Sequence, residues 1–386
     1  MRIAYIYSKL PPIEDGGADY LDHLAIEMVV AGHDVGVFTT DDENIRSRYK
    51  TSSSNSYKVY PVVSNWRLPF FSNNSSWKRF RSALENFHPQ IIHIIFPDST
   101  RLNDYQIPFL IPYVVNIPVV TIFFSFFVSN SNLFSKVGVL GLFLASKRIV
   151  VHTGYLLELM NRYLPFWGAK TRIVPVGNNL ADVGLSTTSR IKMKNELGIS
   201  EESFVVGFYG GIDPSKGIEN LLRAFEILID LGEDVDLLFV GGRTWKSEYA
   251  KQIETQIASL HLDSHIKNSG YVDRLKVVDY LLTCDVCALP FRKNVLGRSS
   301  LISCLFLGIP TITSYFPSEG EFLVDRKNVY LVPPGNAKEL SNAILELKNN
   351  PKLREKISRG AKELSVEFTW GKIAARMETI YKEIIE

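Results

Sequence analysis

Short, almost wholly apolar runs alternate with helically spaced stretches along most of this chain, and that alternation constrains the fold more than any other feature. In the first half the runs are residues 2–7, 35–39, 91–95, 119–122, 148–152 and 172–175. A helical pattern over 19–30, stopped by Gly32, separates the first two. Strands with no polar face are buried on both sides, which is the signature of a parallel sheet covered by helices. A second series follows at 205–209, 237–240, 266–269, 286–289, 311–314 and 329–332, with helices predicted over 218–231 and 337–348. The Gly/Asn/Ser/Thr-rich passage 177–189 between them reads as a linker. The chain of 386 residues thus divides into two doubly wound α/β domains, 1–180 and 190–368, with a last helix over 372–385 in a terminal segment 369–386. The polar, Ser/Asn-rich stretch 49–76 predicts a loop.

Composition narrows the function. A hydrophobic content of 46% with 22% charged residues is ordinary for a globular protein. A net charge of +2 argues against a general nucleic-acid binder. The small excess is uneven, with 17 Lys/Arg against 13 Asp/Glu in residues 1–180. Three cysteines do not make a disulfide scaffold and fit a reducing cytoplasm. Met1-Arg2 runs straight into a strand pattern, so no signal peptide is expected. Residues 107–128 are apolar enough in length to span a membrane, but Pro108, Pro112 and Pro118 interrupt any helix there. Two short buried strands, Val114-Val115 and 119–122, account for the pattern better.

The chemistry concentrates where strand 286–289 runs through Phe291 and a basic loop into a helix opening at Arg298, Ser299 and Ser300. Free N–H groups and the positive end of a helix dipole converge at such a start, which suits an anion. Arg298 is placed for a bidentate phosphate contact, with Arg292 a weaker candidate. After strand 205–209 comes Gly210, Gly211, then Lys216 and Gly217, a lysine in a turn at a helix start that can neutralise phosphate. It is not a Walker loop, because the lysine precedes its glycine. Gly16 and Gly17, after the first strand, permit close backbone approach but form no dinucleotide fingerprint. Cys284 and Cys287 have metal-type spacing without a second pair, and packing is their expected role. Asp234-Val235-Asp236 is expected in a loop, and His261 and His265 facing solvent. Trp77, Lys78, Arg79, Phe80 and Arg81 form a basic aromatic cluster that suits a membrane surface, an acidic acceptor or a solvated helix face.

In order along the chain, Gly16-Gly17, Gly32-His33-Asp34-Val35, Lys216-Gly217, Gly241-Gly242, Gly270-Tyr271-Val272, Gly308-Ile309-Pro310 and Val332-Pro333-Pro334-Gly335 resemble the nucleotide-sugar glycosyltransferases of the GT-B fold, retaining family 4 type. The resemblance covers nearly the whole length. It implies an N-terminal acceptor domain, a C-terminal nucleotide-sugar domain facing it across a cleft, and a last helix returning to the first domain. It further implies transfer of a hexose, with glucose from UDP-glucose as the specific expectation, to a saccharide or lipid-linked saccharide, without metal or cofactor. Lys216 and Arg298 would be the catalytic cations. The backbone of Ser299, Ser300 and Leu301 would meet the diphosphate, Gly210 and Gly211 would line the donor site, Tyr271-Val272 would meet the base, and Gly16-Gly17 the sugar and phosphate. Departures accompany it. The family's arginine before the phosphate lysine falls on Gly211, its paired glutamates on Val295 and Ser303, and a histidine of the first domain on Phe123. Arg298 is expected to supply the charge missing at 211. The alternative is a non-catalytic GT-B protein that binds a sugar nucleotide or serves as a scaffold partner. The expected location is the cytoplasm, including a peripheral position at the inner face of the membrane.

Overall fold

The computed structural model describes residues 1–13, 15–51, 57–67, 75–96, 104–124, 132–163, 165–180, 190–241, 247–270, 272, 274–293, 295–319 and 322–386. The chain separates into two compact units, one comprising Met1–Val176 with Trp370–Glu386 and the other Gly177–Thr369.

The first unit is built on seven parallel strands, β1 (Arg2–Ile6), β2 (Asp34–Thr40), β3 (Lys58–Val63), β4 (Ile91–Phe96), β5 (Val119–Phe123), β6 (Arg148–Val151) and β7 (Thr171–Ile173). Their order is β3-β2-β1-β4-β5-β6-β7. The second unit has six, β8 (Phe204–Tyr209), β9 (Val235–Val240), β10 (Ile266–Asn268), β11 (Val286–Leu289), β12 (Thr311–Ser314) and β13 (Tyr330–Val332), ordered β10-β9-β8-β11-β12-β13. All pairings between these strands are parallel. Central strands bury every residue, as β4 does with IIHIIF, because helices cover both faces. The helix Ile218–Asp230 shows the matching pattern: Ile218, Leu221, Leu222, Phe225 and Leu228 turn inward at helical spacing. The strand order reverses between β1 and β4 and again between β8 and β11. Crevices at the carboxyl ends of those strands are where an open α/β sheet holds ligands.

Three expectations are corrected. Within 49–76, helix Glu43–Thr51 extends past residue 49 and β3 forms at Lys58–Val63. This strand lies at the sheet edge, where Pro61 needs no outward donor, and its flanking serines disguise it. Val114-Val115 is not a strand either. Residues Ile107–Val114 form a helix with a proline at its start, where a missing N–H costs nothing, and Pro112 inside. Only β5 forms as a strand in that segment. Among the described residues no helix is long and apolar enough to cross a membrane. Asp234-Val235-Asp236 also differs from expectation: β9 begins at Val235, and Asp236 accepts a 2.6 Å hydrogen bond from the Ser203 hydroxyl.

The last helix, Trp370–Ile385, belongs to the first unit's core. It buries Trp370, Ile373, Ala374, Met377, Ile380 and Tyr381. The Tyr381 hydroxyl lies 3.1 Å from that of Tyr5 and 2.5 Å from Nδ1 of His93 on β4. Burial, with His152 nearby, pushes His93 down to about 3, so the ring is neutral at neutral pH. Glu383 pairs with both Arg148 and Arg172 at 3.2 Å.

Candidate active site

Strand β11 ends at Leu289, and the chain passes Pro290 and a loop before helix Ser299–Leu307 begins with Arg298 in extended conformation at its N-cap. Strand β8, its neighbour in the sheet, ends at Tyr209 and leads through Gly210 to the 3-10 turn Pro214–Lys216. The two loops meet on Phe291, whose side chain is fully buried. Lys216 Nζ lies 5.1 Å from the centre of that ring and Arg298 Cζ 5.6 Å from it. An aromatic face attracts both cations and holds them together.

Further bonds fasten one loop to the other. Arg298 Nη2 donates to Ser215 Oγ at 3.1 Å, and the Arg292 backbone N–H donates to the Ser215 carbonyl at 3.0 Å. Asp213 caps the turn by accepting from the Ser215 N–H at 2.8 Å and its hydroxyl at 2.5 Å. Gly217 then takes a left-handed conformation with φ of 69°, and a Cβ there would stand 2.1 Å from the Pro290 carbonyl oxygen. Gly217→Ala therefore combines backbone strain with a backbone collision, and is expected to cost at least about 2–3 kcal/mol, read in a denaturant titration. A cost under 0.5 kcal/mol would show that the turn relaxes freely.

Burial, and secondarily the Arg298 charge, depress Lys216 to about 8, with Asp213 acting in the opposite direction. Two positive groups thus sit together in a poorly solvated place, an arrangement that favours an incoming anion. Gly210, at φ of 134°, opens the floor: a Cβ there would lie 3.3 Å from Lys216 Nζ and 4.0 Å from Ser300 Oγ. The Ser300 hydroxyl is buried and has no hydrogen-bond partner among the described residues. Gly211 has nothing within 4 Å of a Cβ position.

Other predicted site residues divide. The Leu301 N–H donates to the Arg298 carbonyl at 3.0 Å, which leaves Ser299 and Ser300 as the first-turn donors. Arg292 turns toward Glu219, 3.2 Å away. Val272 is half-buried, and Tyr271 lies outside the described residues, as does Gly242. Val295 and Ser303, where the resemblance expects glutamates, are buried at 0% and 1% exposure. Phe123 stacks on Phe143 with centroids 4.4 Å apart.

In the first unit, helix Gly16–Val30 begins immediately after β1's loop. Its N-terminus already holds a carboxylate. Asp15 accepts from the N–H groups of Gly17 (3.0 Å) and Ala18 (3.2 Å), from the Tyr7 hydroxyl (2.6 Å) and from Lys9 Nζ (2.6 Å). Those donors hold it below the usual carboxylate range despite burial. A Cβ on Gly17 would fall 2.5 Å from Tyr7 Oη, so glycine is required for the close approach, whereas Gly16 borders open space. Sequence reading passed over Asp15, although aspartate just before a helix is a cap signal.

The remaining clusters are structural. Cys284, Cys287 and Cys304 are buried thiols, and a Cβ on Gly207 would meet the sulfurs of Cys284 and Cys287. Hydrogen bonding to the other two thiols, then burial, raises the Cys287 thiol. His261 is exposed and His265 half-buried. Among the described residues no group of three or more His, Cys, Asp and Glu could hold a metal ion.

Residues 189–364 match the family described as glycosyl transferases group 1. A glycosyltransferase of Methanocaldococcus jannaschii is 28% identical over 46% of this chain and 47% of its own length. A phosphatidyl-myo-inositol mannosyltransferase of Mycobacterium leprae is 28% identical over 46% of each chain. The chain thus matches about half the length of these curated relatives. The structure of Anabaena HepE in complex with UDP-glucose superimposes with a TM-score of 0.76, covering 99% of this chain and all of HepE at 16% identity. The fold is GT-B, two Rossmann-like α/β units each on a parallel sheet. Within the second unit, residues 189–364 carry the likeness to the group 1 glycosyltransferases.

Proposed function

We propose that this protein is a retaining, metal-independent hexosyltransferase that moves glucose from UDP-glucose to a saccharide or lipid-linked saccharide hydroxyl. The observation that carries the reading is the convergence of Lys216, Arg298 and the Ser300 hydroxyl beside Gly210, at the switch point of the second sheet. A departing nucleoside diphosphate gains negative charge as the sugar becomes oxocarbenium-like. Fixed cations and the Ser299 and Ser300 N–H groups at a helix start stabilise that charge without reorganising. The second unit would hold the nucleotide sugar and the first the acceptor. UDP-glucose bound by HepE, which shares the fold, and the lipid acceptor in the Mycobacterium relative's name support the choice of donor and acceptor classes.

A second reading has its own observation. Val295 and Ser303 are sealed in the core, so neither position can offer a carboxylate to a ribose or sugar. That favours a protein that binds a sugar nucleotide and does not turn it over. One experiment separates the two: incubation with a mixture of UDP-sugars, followed by assay of released UDP and, in parallel, thermal shift with each donor. Release of UDP establishes transfer or hydrolysis. Stabilisation without release establishes the binding protein. Neither signal with any donor would sink both readings.

A further inference from the structure

Apart from Ser135 and Lys136, the helix Leu133–Ala145 is made of apolar residues and glycine. Ser135, Val139, Leu142 and Phe143 face the first unit's interior. Its opposite face carries Leu133 at 77% exposure, Val137 at 59%, Leu140 at 43% and Leu144 at 59%. At 100° per residue those four positions form one stripe along the outside of the helix. On the neighbouring helix Ile107–Val114, Tyr113 is 61% exposed and donates its hydroxyl to the Gly141 carbonyl at 2.8 Å. Scattered apolar residues on a surface need no explanation, but a contiguous stripe of this size marks a contact.

Charge identifies what it contacts. Residues 105–157 contain no Asp or Glu, while Lys136 and Lys147 stand exposed at the flank and the end of the helix. Lys170 Nζ donates to the carbonyls of Phe143, Leu144 and Ser146 at 2.6–3.0 Å, adding positive charge where the helix stops. A second copy of this chain would meet the stripe through the same patch, placing lysine against lysine with no carboxylate on the helix to offset them. An apolar stripe with exposed lysines at its flank and end, and a tyrosine at its border, complements an anionic lipid surface. The Trp77–Arg81 cluster is a poorer candidate, since Phe80 is fully buried and Arg79 pairs with Asp41.

We propose that the outer face of helix Leu133–Ala145 docks the first unit on an anionic bilayer. Leu133, Val137, Leu140 and Leu144 enter the acyl boundary, and Lys136 and Lys147 lie among lipid phosphates. The inference is independent of the transfer reaction, because every residue in it belongs to the first unit, whereas Lys216 and Arg298 belong to the second.

The test is flotation of the full chain with vesicles of phosphatidylcholine alone or mixed equally with phosphatidylglycerol, at low and high salt. The protein should float with the mixed vesicles and stay behind with phosphatidylcholine, and binding should weaken as salt rises. Val137→Glu and Leu144→Glu should each lower the bound fraction about tenfold or more, and Lys136→Gln with Lys147→Gln several-fold. Leu133→Ser, at the most exposed position, serves if a glutamate variant melts early. Absence of wild-type flotation, or flotation unchanged in variants that keep the wild-type thermal midpoint, overturns the proposal. So does a lipid-free dimer that these substitutions dissociate, which would assign the stripe to a second copy.

Discussion

Lys216→Met is expected to make the free protein more stable while removing its affinity for a nucleoside diphosphate. In the unliganded fold the ammonium is disfavoured by burial and by Arg298, which brings it to about 8 from the ordinary 10.5. The unfolded chain keeps the proton up to the ordinary value. Below pH 8 both states are charged and the full penalty of burying that charge, roughly 3 kcal/mol, is present. Between pH 8 and 10.5 the unfolded chain binds more protons than the folded one, so stability rises with pH and the penalty fades. Methionine keeps the length of the side chain without the charge. At neutral pH its thermal midpoint should exceed the wild type's by several degrees, about 2–4 °C per kcal/mol for a unit of this size, and the two proteins should converge near pH 10. UDP affinity should fall about a hundredfold. In the wild type it should weaken above pH 8, and calorimetry near that pH should record proton uptake on binding. A variant that is less stable at pH 7 would mean that Lys216 is already neutralised, and the anion pocket would lose its main support.

Arg298→Ala is the second large effect expected. If the guanidinium takes over the charge missing at Gly211, its removal should lower donor turnover on the order of a hundredfold, equivalent to about 3 kcal/mol of barrier. The loss should fall mainly on kcat, since the stabilised charge develops as the bond to the sugar breaks. Arg298→Lys keeps the charge without the fork that reaches Ser215, and should recover only part of the rate. Turnover within twofold of wild type in the alanine variant would remove Arg298 from the mechanism.

Both sheets were legible because their central strands are buried on two faces and read as short runs rich in Val, Ile, Leu and Phe. Strands β8, β9, β11 and β12 fall within two residues of their expected positions. The edge strand β3 escaped because Lys58 is exposed and Val59 to Val62 are only half-buried, so its pattern looks like loop. The helix Ile107–Val114 escaped because prolines read as breakers, although the first turn of a helix tolerates one. At the candidate site, the meeting of Lys216 with Arg298 was readable from topology: both follow strands that a doubly wound sheet places side by side. Phe291 as the plate between them was not, since a lone loop aromatic carries no anion signal. Nor was the carboxylate of Asp15 at the first helix, because an aspartate followed by two glycines reads equally well as a turn.

The core of the first unit is closed by residues 370–386, which lie beyond the whole of the second unit in the chain. During synthesis on the ribosome, therefore, that unit must wait, with the surface around Tyr5, His93 and Arg148 uncovered, while some two hundred intervening residues are made. A stop codon anywhere in the second half would leave the amino-terminal sheet without its last covering helix and exposed to proteases and chaperones, so damage at the far end of the message should be felt first in the half encoded earliest.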